Sequence, residues 1–228
     1  MATETSTAWV LHRQPSGDSS IRVTFFTLER GVVQAYYKGG RSPKKQALIQ
    51  PFSPLWLMLD QRREWYFVRH IETQAEALNF NGTAIFAALY LNELLYYTLS
   101  PGEAQPALFA IYALTVKALV TTTNKEAKEV LLRRFEFALL NACGYSLSFT
   151  EEAHLAKPIC LNQSYQYIPG EGFILAETGI AGNLLLAIAE ERWEEQNVLK
   201  AAKMIMRKAL DHLLGGRVLK SRSLFIGM

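Results

Sequence analysis

The stretch SIRVTFFTLERGVVQAYYK, residues 20–38, decides the fold. It reads as strand, turn, strand. Ile21, Val23, Phe25 and Thr27 fall on one face of an extended chain, with Arg22, Thr24 and Phe26 on the other. The ERG step at 29–31 interrupts the pattern, and Gly31 suits the turn between two antiparallel strands. The second run, VVQAYYK, is again rich in β-branched and aromatic residues. Working outward, TAWVLHR (7–13) precedes it, and LWLMLD (55–60) and WYFVRHI (65–71) follow it. The turn signals QPSGDSS, GGRSPKK and QRRE separate these segments. Five short strands in the first 75 or so residues suit a small closed or partly open barrel, because closure protects the strand edges.

Beyond residue 80 the period changes from two to that of a helix. Residues 83–99, 107–121, 126–143, 183–191 and 195–213 predict helices, with Asn124 as a cap and Gly144 and the Gly215–Gly216 pair as stops. On the helix 126–143, Leu131, Phe135, Leu139 and Ala142 form the predicted core stripe, and Arg133 and Arg134 lie off it. Residues 145–180 read as irregular, punctuated by Pro158, Pro169, Gly170 and Gly172. The expected class is therefore α+β with two domains: a five-stranded barrel in residues 1–78 and an all-helical domain in 79–228 that ends in a basic tail.

The apolar run 83–99 contains Asn92 and Glu93 and is near the lower length limit for crossing a bilayer, so it reads as a buried helix. Residues 1–12 have neither the basic start nor the apolar core of a secretion signal. Cys143 and Cys160 share no metal-ligand spacing and read as reduced thiols. The expected setting is the cytoplasm, with no membrane partner.

No catalytic motif stands out. His12, His70, His154 and His212 lack the spacing of a helical metal pair, and there is no G-x-S-x-G, Walker loop or H-E-x-x-H. GEGF (170–173) lacks the third glycine of a dinucleotide loop. The paired glutamates at 151–152 and 190–191 diverge around a helix and read as solvated. No catalytic residue, metal or cofactor is expected.

The charge pattern is more informative than the net value of +3. Residues 1–80 carry 10 Lys or Arg against 7 Asp or Glu, residues 81–199 carry 7 against 13, and residues 200–228 carry 7 against 1. Two basic ends flank an acidic middle, which suggests a polyanion at the ends. Lys38, Arg41, Lys44 and Lys45 sit in the loop after the third strand, and Arg62 and Arg63 in the turn between the fourth and fifth. In barrels of the oligonucleotide-binding type that second turn is a usual ligand-gripping loop. Cations attract phosphates, and Tyr36, Tyr37, Trp65 and Tyr66 are candidate rings for stacking bases, at least half of them expected in the core or barrel wall. The glycines of the basic loop are expected to let backbone N–H groups approach phosphate. Arg217, Lys220 and Arg222 form a second basic site in the tail, which Leu219, Leu224 and Phe225 are expected to pin to the body.

Several runs together resemble the bacterial RecO family: AWVLHRQPSGDSSIRVTFFTLERGVVQAYYKGGR, LIQPFSPLWLML, LYLNELLYY, LLRRFEFALLNACGY, YQYIPGEGF and LLGGRVLKSRSLF, in this order over nearly the whole chain. The ordered set K-G-x-R, Q-P-F-x-P, L-R-R-F-E and G-G-x-x-L-K-S-R carries the resemblance. It implies an N-terminal OB-fold barrel and a helical domain. It also implies binding of single- and double-stranded DNA, annealing of complementary strands and a place at the bacterial nucleoid. The implied partners are RecR and the acidic C-terminal tail of single-strand binding protein (SSB), with RecA loaded as the indirect outcome. The DNA-contacting face of the family carries over to Lys38, Arg41, Lys44 and Lys45, and the L-R-R-F-E helix points to Arg133, with Arg134, as the site for the SSB tail. Two departures stand out. Some relatives hold zinc with four cysteines in the stretch corresponding to 145–180, where this chain keeps only Cys160, so metal is not expected and packing must hold the segment unless it is mobile. The loop GGRSPKK differs mildly from the family pattern and keeps the charge. The readings that compete with a DNA-repair and recombination mediator are a protein-interaction adaptor that binds no DNA and an RNA-binding OB-fold protein.

Overall fold

The computed structural model describes residues 2–225; Met1 and the end of the predicted basic tail domain, 226–228, lie outside the described residues. The alternating segments fold as β1 (Ala2–Ser16), β2 (Ser20–Thr27), β3 (Gly31–Tyr37), β4 (Leu55–Arg62) and β5 (Trp65–Thr73). They close into a barrel in the order β1-β2-β3-β5-β4, with β3 and β5 parallel and the other neighbours antiparallel. This is the five-stranded barrel the sequence predicts, with no free edge. Its interior is the inward half of each alternation: Val10, Val23, Phe25, Leu55 and Leu57 have no exposed surface. Burying each such side chain stabilises the fold by about 1.5–3 kcal/mol.

Part of the outward half is buried too. Trp9 and Phe26 point away from the barrel interior, and they pack on Phe109 and Tyr112 of α3 (Pro106–Thr121) at ring distances of 5.3–5.9 Å. This apolar outer patch explains why α2 (Ala84–Thr98) and α3 belong with the strands. One compact unit runs as far as Thr122 and takes back the chain from Leu219; the other is Thr123–Val218. The change from strands to helices near residue 78 and the division into compact units are thus different boundaries.

The two polar interruptions of the apolar helix α2 both make connections. Asn92 is buried; its Nδ2 donates to the Val10 carbonyl at 3.1 Å, and its Oδ1 accepts from the Tyr112 hydroxyl at 2.6 Å. Burial raises the Tyr112 pKa, so the phenol stays protonated and remains a donor. Glu93 accepts from the backbone N–H groups of Lys220 and Ser221, both at 2.8 Å, and from the Ser221 hydroxyl at 2.5 Å. Those bonds hold the first turn of a 3₁₀ helix, Lys220–Phe225.

Gly31 takes φ +59° in the β2–β3 turn, and a Cβ there would stand 1.8 Å from the Glu103 carbonyl oxygen. Both the turn and that approach demand glycine.

The second unit contains α4 (Lys125–Ala142), α5 (Gly182–Ala189) and α6 (Gln196–Leu213). Asn124 caps α4 as predicted, accepting from the Ala127 N–H at 2.9 Å. The region read as irregular holds a three-stranded sheet, so this part of the chain is not all-helical. β6 (Ser164–Ile168), β7 (Gly172–Ala176) and β8 (Ile180–Ala181) pair in the order β7-β6-β8. Packing anchors it: the rings of Phe137, Phe149, Phe173 and Tyr167 touch in sequence at 5.3–6.0 Å.

Candidate nucleic-acid interface

Between β3 and β4 the basic loop is more ordered than its glycines suggest. Pro43 starts a short helix, α1 (Pro43–Leu48), whose fixed φ suits a first helical position. Leu48 and Ile49 pack on the barrel core and hold the helix down, leaving Arg41 and Lys44 in solvent. Three consecutive loop amides are already used. Gly40 N–H donates to Tyr37 O at 3.1 Å, Arg41 N–H to Ser19 O at 3.0 Å and Ser42 N–H to Gly39 O at 3.2 Å. The expectation that glycine amides approach phosphate is therefore corrected for Gly40, whose N–H closes the turn that Gly39, at φ +66°, shapes.

Among the described residues, no carboxylate lies within ion-pair distance of Lys38, Arg41, Lys44, Lys45, Arg62 or Arg63. Three of these cations lie beside rings. Lys38 Nζ lies 5.7 Å and Arg62 Cζ 5.4 Å from the Phe67 centroid, and Lys45 Nζ lies 4.8 Å from the Tyr37 centroid. Lys45 also donates to the Lys38 carbonyl at 2.6 Å. Arg63 holds φ +55° at the tip of the β4–β5 turn, a conformation that disfavours a side chain.

Strand alternation sorts the candidate rings. Tyr36 and Trp65 face outward, 5.5 Å apart. Tyr37 is 6% exposed and belongs to the barrel core, so it is corrected from a stacking ring to an interior one. Tyr66 packs against the same core, and its hydroxyl accepts from Arg30 at 3.2 Å. Phe67, which the sequence reading passed over, is the outward ring beside Tyr36, at 5.8 Å. Alternation through WYFV signals it, since Trp65 and Phe67 share one face; an irregularity at Arg69 then resets the pattern, so that Ile71 returns to the core.

The tail cations divide. Lys220 is exposed and Arg222 half-buried, both in the 3₁₀ helix tied to Glu93, while Arg217 is exposed in the other unit. Leu219 is the buried anchor of the tail; Leu224 and Phe225 keep much of their surface in solvent, although Phe225 meets the Phe86 ring at 6.4 Å. Lys220 and Arg22 bear on His12, whose pKa is lowered first by burial and then by these two cations.

On α4 the two arginines differ. Arg133 is 6% exposed and pairs with buried Glu136 at 2.5 Å. Phe135 and Leu139 of the predicted stripe are buried, but Leu131 and Ala142 are only half-buried, and placing Arg133 off the core face is corrected: the buried face is wider and takes in Leu132, Arg133, Glu136 and Leu140. A guanidinium held there is not an open fork for a partner's carboxylate. Arg134 is exposed and pairs with Glu191 at 2.5 Å. Among the described residues, no three His, Cys, Asp or Glu side chains gather to hold a metal, and no helix is long and apolar enough to cross a membrane.

Comparison with known proteins joins both parts of the chain. Residues 1–76 match the family model "Recombination protein O N terminal", and residues 79–223 match "Recombination protein O C terminal". The chain is 48% identical over 226 residues to the DNA repair protein RecO of Legionella pneumophila strain Corby, covering 99% of each chain. It is 38% identical over 232 residues to that of Pseudoalteromonas atlantica, covering 99% of this chain and 95% of the relative. With that of Vibrio cholerae strain O395 the identity is 37% over 223 residues, covering 95% and 91%.

Proposed function

Because this chain belongs to the RecO family of DNA repair proteins, we propose that it is a non-catalytic mediator of recombination that binds single- and double-stranded DNA and anneals complementary strands. The observation that carries this reading is the set of six cations around α1 and the β4–β5 turn, none within ion-pair distance of a carboxylate among the described residues. Unpaired cations beside exposed rings favour phosphate by releasing its condensed counterions. Annealing then needs no reacting group. Holding two strands on one basic surface lowers their repulsion and raises their local concentration, and base pairing selects the register.

In the same reading the protein works with RecR at the nucleoid to load RecA onto SSB-coated strands. Arg134, rather than Arg133, receives the acidic SSB tail. Its ion pair with Glu191 is exposed, worth about 0–1 kcal/mol, and so exchanges readily for a partner's carboxylate.

The test follows complementary oligonucleotides pairing with and without the protein at low salt. Faster pairing is expected, and it should slow as salt rises; no acceleration, or binding of RNA in preference to DNA, would overturn the proposal.

A further inference from the structure

Three rings line the outer surface of the β3–β5 seam. Tyr36 and Phe67 are register partners on the parallel pair, and Trp65 follows the β4–β5 turn, opposite Arg62. Of the four tryptophans, Trp65 alone has about half its surface, 51%, in solvent. Its one aromatic neighbour among the described residues is Tyr36, at 5.5 Å and 64°, so the indole is not enclosed. Lys38 and Arg62 both lie over Phe67, within 5.7 Å, so two cations border the same strip.

The faces of paired bases are hidden inside the duplex stack; an unpaired base offers its face to a ring. We propose that Trp65, with Tyr36 and Phe67 behind it, is a stacking subsite for unpaired bases, with Lys38 and Arg62 holding the adjoining phosphates. This deepens the DNA-binding reading above and rests on it. The phosphate cations treat single strands and duplex alike, whereas the ring strip selects single strands. Its consequence for annealing is directional. Once two strands pair, their bases leave the strip, and the duplex product is a weaker ligand than the strands that formed it.

The test measures affinity of the full chain for three probes of equal charge: oligo-dT, a strand of the same length with abasic sugars, and a shorter duplex matched in phosphate number. The wild type should prefer oligo-dT to the abasic strand by roughly ten-fold, the equivalent of about 1.4 kcal/mol for one stacked base. Trp65→Ala should bring oligo-dT down to the abasic value and leave the abasic strand and duplex unchanged. Trp65→Phe, which keeps a ring, should retain most of the preference while losing the oligo-dT quenching of indole fluorescence. Equal wild-type affinity for oligo-dT and the abasic strand would overturn the subsite while leaving the phosphate reading intact. Equal loss on all three probes in Trp65→Ala would overturn it as well. If neither strand nor duplex binds with salt dependence, the underlying DNA-binding reading is what fails.

Discussion

Removing three cations together, with Lys38→Ala, Arg41→Ala and Lys44→Ala, separates the phosphate site from the rest of the molecule. Lys45 is left in place because its ammonium is already engaged by the Lys38 carbonyl at 2.6 Å and the Tyr37 ring at 4.8 Å. The other three have no ion pair among the described residues, so each is free to neutralise one phosphate. Each such contact contributes roughly 0.7 to the slope of log affinity against log salt for a single strand and roughly 0.9 for duplex. Losing three should make the slope shallower by about 2 for a single strand and about 2.7 for duplex. Between about 50 and about 200 mM salt, the wild-type advantage over the variant on single strands should then shrink about twenty-fold. The substitutions lie on exposed side chains, so stability should change by less than about 0.5 kcal/mol per site, and an unchanged thermal midpoint verifies it. Fluorescence anisotropy of labelled oligonucleotides across a salt series gives the slopes. An unchanged slope in a folded variant refutes the assignment of phosphate contact to this loop, as does an affinity loss that is the same at every salt concentration.

Four other outcomes follow from the packing. Gly31→Ala sets a Cβ 1.8 Å from the Glu103 carbonyl in a left-handed turn, so it should destabilise by more than about 3 kcal/mol in urea unfolding, or fail to fold. Arg133→Ala should cost about 3–5 kcal/mol because it removes one half of a buried ion pair, and Arg133→Met with Glu136→Leu should recover most of it; recovery is the sign that the pair is structural. The folded-state pKa of His12 is depressed by burial, Arg22 and Lys220, so the unfolded chain takes up its proton first as pH falls through about 6.5. Stability should therefore drop below that pH and not above it, and urea midpoints of His12→Gln should show a smaller acid decline than wild type. Arg63→Gly relieves a side chain at φ +55° and should stabilise the fold by about 0.5–1 kcal/mol while weakening DNA binding; a gain in stability with no loss of affinity would remove Arg63 from the interface.

How much was legible in the sequence depends on how local the cause is. The barrel strands are set by period-two alternation and punctuated turns, so Val23, Phe25, Gly31 and Leu57 declare themselves. Phe26 and Trp9 do not, because alternation marks them as outward, and the helix that covers them begins at residue 106. On α4 the buried face is wider than the apolar stripe through Phe135 and Leu139, and a charged residue beside that stripe reads as solvated; the i, i+3 spacing of Arg133 and Glu136 is the available sign of an internal pair. The strands β6 to β8, the longest of five residues, are too short for alternation to outweigh the prolines and glycines around them. The candidate interface shows the same divide. Its cations are a run in the sequence and were read directly, whereas its ring strip exists only once β3 and β5 lie parallel, a pairing between segments joined through β4. Composition can announce that phosphate is attracted. Whether an unpaired base is preferred depends on which alternate residues of two distant segments end on the same outer face, and that is decided by barrel closure.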